Sequence, residues 1–113
     1  MFDDSDLEKL FAELQSFFRD TYFAQCMLQR VDQLKSADSL LDVKHITNAN
    51  LHPLKGSRRY ELAIDVDTTG KRGKRRIVFE QVNGDDKVCD DFYNEQKHKN
   101  ITEIHILAVD DYH

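Results

Sequence analysis

The apolar residues of this 113-residue chain change their spacing once, near the middle, and that change decides the class of fold. Leu7, Leu10, Phe11, Leu14, Phe17 and Phe18 recur at helical intervals, which predicts an amphipathic helix from about Asp6 to Phe18. Ser5 and Glu8 have capping-box spacing, so Ser5 is the expected N-cap. Phe23, Met27, Val31 and Leu34 predict a second helix from about Tyr22 to Lys35, and Ser36 to Ser39 reads as a turn. From Tyr60 the period is two. Tyr60, Leu62, Ile64 and Val66 alternate with Glu61, Ala63, Asp65 and Asp67, the pattern of a half-buried strand. Arg75 to Val82 and Ile101 to Val109 predict two more strands. Thr68 to Gly73 is a hairpin loop and Asn83 to Asp86 a turn. The polar stretch that follows, up to Asn100, reads either as a short helix or as an insertion.

Short or polar connections between consecutive strands favour antiparallel pairing over crossovers. The expected fold is therefore α+β: two N-terminal helices packed on one face of a twisted antiparallel sheet of three to four strands, within a single domain spanning 1–113.

Composition narrows the function classes. A hydrophobic fraction of 40% beside a charged fraction of 33% describes a globule rather than a disordered chain. No apolar run is long enough to span a membrane, and Met1-Phe2-Asp3-Asp4 has the wrong charge for a secretory start, so a cytoplasmic location is expected. Cys26 and Cys89 form no CxxC pair and read as two reduced thiols. The five histidines have no metal-ligand spacing, and phosphate-loop, dinucleotide and activated-nucleophile motifs are missing, so neither metal nor cofactor is expected. The net charge of −5 is uneven: residues 1–54 carry −4, residues 55–76 carry +5, and residues 77–113 carry −6. A basic segment in an acidic protein is where a phosphate-bearing partner would bind, and Arg58, Arg59, Arg72, Lys74 and Arg75 are its candidate contacts.

Two local strings stand out. Leu51-His52-Pro53-Leu54-Lys55-Gly56 sets a histidine and a lysine around the only proline, just before the first long strand. The sequence ends in Asp111-Tyr112-His113, directly after the last predicted strand. An imidazole can move protons near neutral pH, and a phenol can stack on a base. Arg75 and Arg76 open the middle strand and must face opposite sides of it.

Together, the Leu51–Gly56 string, the Arg-Ile-Val-Phe run from Arg76 to Phe79 and the terminal Asp-Tyr-His resemble the HigB-type, or plasmid maintenance killer, toxins of the RelE/ParE superfamily. The resemblance runs from the first helix to His113. It implies a microbial-RNase-like fold and the toxin half of a type II toxin–antitoxin system. Such a toxin inhibits translation as a ribosome-dependent, metal-independent mRNA endoribonuclease. Its partners would be the ribosome, mRNA and a helix-turn-helix antitoxin, with no membrane and no small-molecule cofactor. Residue by residue, it assigns His52, Lys55, Arg76, Asp111, Tyr112 and His113 to the catalytic site. Lys55 and Arg76 would stabilise charge on the phosphate, His113 would act as acid or base, and Tyr112 would stack on or orient the nucleotide.

The sequence also departs from that family. Asp65 stands where a second functional arginine is common, the stretches 67–74 and 84–100 look extended by a few residues, and the family's first strand is expected to be clipped or absent. Asp65 and the overall acidity favour an alternative: a non-nuclease member of the same scaffold, acting by binding as an antitoxin-complex subunit or co-repressor, or as a gyrase-type poison. A third reading is an acidic interaction module without catalysis.

Overall fold

The computed structural model describes residues 1–15, 21–54, 60–66, 75–83, 88, 92 and 94–111. Among them the elements run α1 (Asp4–Gln15), α2 (Thr21–Ser36), α3 (Leu40–Lys44), β1 (His52–Pro53), β2 (Glu61–Asp65), β3 (Arg75–Gln81), α4 (Glu95–Asn100) and β4 (Ile104–Asp111). The protein is α+β, with an open four-stranded sheet in the order β1-β2-β3-β4 and every neighbouring pair antiparallel.

α1 begins two residues before the expected Asp6, because Asp3 and not Ser5 caps it. The Asp3 carboxylate accepts the Asp6 N–H at 3.0 Å, and the Asp3 carbonyl accepts the Leu7 N–H at 3.1 Å. The Ser5 hydroxyl donates to the same carboxylate at 3.0 Å. The predicted last turn of this helix, through Phe17 and Phe18, lies outside the described residues. α2 matches its expected span to within a residue at each end.

β4 starts at Ile104 rather than at Ile101, because the three residues before it are held by other partners. The Ile101 carbonyl accepts the Leu40 N–H at 2.8 Å. The Asn83 side-chain oxygen takes the N–H groups of Thr102 and Glu103 at 3.0 and 3.1 Å. The polar stretch before them ends in α4, which Asn94 caps through its side chain at 3.1 Å from the Gln96 N–H.

Period-two alternation sorts the sheet into two faces. Leu62, Ile64 and Val66 of the β2 segment, Ile77 and Phe79 of β3, and Ile104 and Ile106 of β4 pack under Leu10, Met27, Val31, Leu34, Leu40 and Val43 of the helices. The opposite face holds a smaller cluster of Leu54, Ala63 and Val78, against which Leu107 packs. Leu107 lies where the β3–β4 register shifts between Val78 and Phe79, an irregularity of the β-bulge kind. Along the other side of β4, Met1 O accepts the Ile104 N–H at 2.8 Å and Lys9 Nζ donates to Ile106 O at 3.2 Å. Asp6, 4% exposed, meets His105 Nδ1 at 3.0 Å beside it.

Candidate nucleic-acid interface

Strand register places the candidate residues. Directly paired residues of an antiparallel ladder share a face. His52 pairs with Ala63 and Ala63 with Val78, so His52 stands on the face opposite the helices. Two residues along β2, Asp65 pairs with Arg76, and Arg76 pairs with Asp110 on its other side. His52 and Arg76 therefore share that face, two strands and two residues apart, which is roughly 12 Å between Cα atoms. Arg75 pairs with Asp111 and has the opposite parity. β4 thus finishes beside Arg75 and Arg76.

The approach to His52 depends on two asparagines in left-handed conformation, Asn48 at φ 64° and Asn50 at φ 50°. Asparagine is among the few non-glycine residues that tolerate this region. The turn sets the Asn50 carbonyl 2.7 Å from His52 Nδ1. A carbonyl only accepts, so Nδ1 carries the hydrogen, and Nε2 is the acceptor nitrogen of the neutral ring. That tautomer suits a base that takes a proton through Nε2.

Asp65 is 5% exposed and tied on several sides. Its carboxylate accepts from Asn50 Nδ2 at 3.3 Å, its N–H donates to Ala49 O at 2.7 Å, and its carbonyl accepts from Arg30 Nε at 2.8 Å. It is thus a fixed anion placed across from Arg76. Opposite charges directly paired across strands attract, which steadies Arg76 and offsets part of its charge toward any phosphate.

Of the residues singled out in the sequence, the structure brings Arg76 and the backbone of Asp111 to one end of the sheet, with His52 on the Arg76 face and Arg75 on the other. Lys55, Arg58, Arg59, Arg72, Lys74, Tyr112 and His113 lie outside the described residues. β2 starts at Glu61, across from Glu80 at the far end of the ladder from Arg76. Sequence reading missed Arg30 and Asn50. Arg30 had a visible signal, since it falls with Met27, Val31 and Leu34 on one apolar helix face. Asn50 had none beyond its residue type.

Among the described residues no group of three or more His, Cys, Asp or Glu could hold a metal ion, and no helix is long and apolar enough to cross a membrane. Compared with known protein families, curated proteins and solved structures, the chain has no significant match in any of the three.

Proposed function

We propose that the protein is a HigB-like toxin of a type II toxin–antitoxin system, an endoribonuclease that cuts mRNA on the ribosome. The observation that carries this reading is the shared face of His52 and Arg76, one strand over from the end of β4 that leads to Tyr112 and His113. In the reaction the ribose 2′-hydroxyl attacks the adjacent phosphorus. The 2′-oxygen–phosphorus bond forms, the phosphorus–5′-oxygen bond breaks, and the products end in a 2′,3′-cyclic phosphate and a 5′-hydroxyl. One group takes the 2′-proton and another returns a proton to the 5′-oxygen. His52, protonated on Nδ1 by its contact with Asn50, has the tautomer for the first task. His113 takes the second, Lys55 and Arg76 hold the charge that grows on the phosphate, and Tyr112 orients the base. Arg58, Arg59, Arg72, Lys74 and Arg75 belong to the basic segment that meets the RNA backbone.

A second reading has its own observation. Arg76 stands directly across the ladder from the buried Asp65. A cation so placed favours a member of the scaffold that works by binding, in complex with its antitoxin or against gyrase. Expression of the wild type beside His113→Ala, Lys55→Ala and His52→Ala separates the two. The nuclease reading expects growth arrest with mRNA cut at translated codons, both lost in each variant. Arrest that survives all three substitutions sinks the catalytic assignment, and arrest with intact mRNA selects the binding reading.

A further inference from the structure

A polar cleft of about 300 Å³ opens between α2 and the turn that precedes β1. Its walls include Cys26, Gln29, Arg30 and Gln33 from one face of α2, and Thr47 and Asn48 from the turn. Among the described residues neither an aspartate nor a glutamate lines it, in a protein where acidic residues outnumber basic ones by 21 to 16. Arg30 is 7% exposed. Its Nε donates to the Asp65 carbonyl at 2.8 Å and its Nη1 to the Gln33 side-chain oxygen at 2.8 Å. Both acceptors are neutral. Its other terminal nitrogen, Nη2, has no hydrogen-bond partner among the described residues. The Asp65 carboxylate is bonded to Asn50 and stands across from Arg76.

Among the described residues both hydrogen-bond acceptors of this nearly buried guanidinium are neutral, so only the fields of Asp65 and Cys26 offset its charge, and buried charges are ordinarily paired directly. Burial pulls the Arg30 pKa below its ordinary value, against smaller opposing pulls from Cys26 and Asp65. The planar fork of an arginine matches the oxygens of a phosphate or carboxylate, and two anchored nitrogens hold that fork in place. Gln29, Thr47 and Asn48 add neutral donors around it. The volume lies at the small end of the range for ligand pockets, so the occupant is a small molecule.

We infer that the cleft between α2 and the turn before β1 is a binding site for an oxyanion carried by a small polar molecule, with Arg30 as its charge partner. The site is separate from the His52–Arg76 face and stands whether or not the protein cleaves RNA.

Nitrogen-15 NMR of the full chain tests this, with inorganic phosphate, sulfate and acetate titrated against chloride at constant ionic strength. The expected result is a saturable shift of the Arg30 Nε–H, the Gln29 and Gln33 side-chain amides and the Thr47 and Asn48 backbone amides. Phosphate and sulfate binding without acetate marks a tetrahedral oxyanion as the ligand chemistry, and binding of all three includes carboxylates. Arg30→Lys keeps the charge without the fork and should weaken binding about tenfold. Because Arg30 also supports the Asp65 carbonyl, Gln29→Ala and Thr47→Ala serve as variants on exposed side chains. Each should weaken binding several-fold in a protein whose spectrum is otherwise unchanged. Bound phosphate should also slow alkylation of Cys26, mapped by mass spectrometry. No saturable shift at Arg30 in the tens-of-millimolar range overturns the inference. Shifts that chloride reproduces, or that persist undiminished in the Gln29 and Thr47 variants, overturn it too.

Discussion

His98 shows how one side chain can set the acid tolerance of this fold. The residue is fully buried, its Nδ1–H donates to the Asn94 carbonyl at 3.0 Å, and its Nε2 has no hydrogen-bond partner among the described residues. Phe92 packs edge-on against the ring with 5.0 Å between centroids. From α3, Lys44 lies over the Phe92 ring and 3.9 Å from Glu95. Burial, the largest effect, pushes the His98 pKa below its ordinary 6.5; the Asn94 contact opposes it, and the lesser charge effects of Lys44 and Glu95 lower and raise it respectively. The unfolded chain therefore binds a proton at a pH where the folded one does not. The stability tied to neutral His98 is fully present above 6.5 and is lost as pH falls below it toward the folded value. The urea midpoint of the wild type should decline over that range, and His98→Leu should flatten the decline. An equally steep decline in the variant would assign the acid sensitivity elsewhere. Nothing in the local sequence announced this. His98 sits in the polar run Glu95–Asn100, and only the packing of α4 shows that its ring turns inward.

At the scale of elements, spacing made α1, α2, β2, β3 and β4 legible, because each is long enough to complete two or more periods of its pattern. β1 has two residues and α3 five, too few to show a period, and both were unread. The partnership of Asp65 with Arg76 was also hidden. Both residue types were plain, but register across the hairpin is not written in either strand alone. β3 is the element on which the rest converges, paired on both sides and burying Ile77, Val78 and Phe79. Among the described residues Phe79 is the largest fully buried side chain, and it lies beneath the helices. Phe79→Ala should lower unfolding free energy by about 3–5 kcal/mol, through lost burial and the cavity left behind. Chemical denaturation measures it, and a loss under about 1 kcal/mol would mean that the helices close over the gap.

For the molecule as a whole, the order β1-β2-β3-β4 leaves two outer strands, and their backbones are closed by different means. On the β4 side, Met1 and Lys9 meet the strand. On the β1 side, the two residues of β1 reach only as far as Ala63, so β2 extends past its neighbour by Ile64 and Asp65. There the Asp65 N–H goes to Ala49 and its carbonyl to Arg30. Strand backbone left open in this way is a template on which another chain can pair. By occupying the Asp65 carbonyl, Arg30 takes one acceptor of that edge out of reach of another chain, a matter that concerns the population of molecules rather than any one of them. Arg30→Ala should aggregate faster than the wild type when both are warmed to the same fraction unfolded, as read by light scattering. Equal rates would show that Ala49 alone protects the edge. A faster rate in the variant would make solubility in a crowded solution depend on a helix residue that bonds to the sheet at the Asp65 carbonyl.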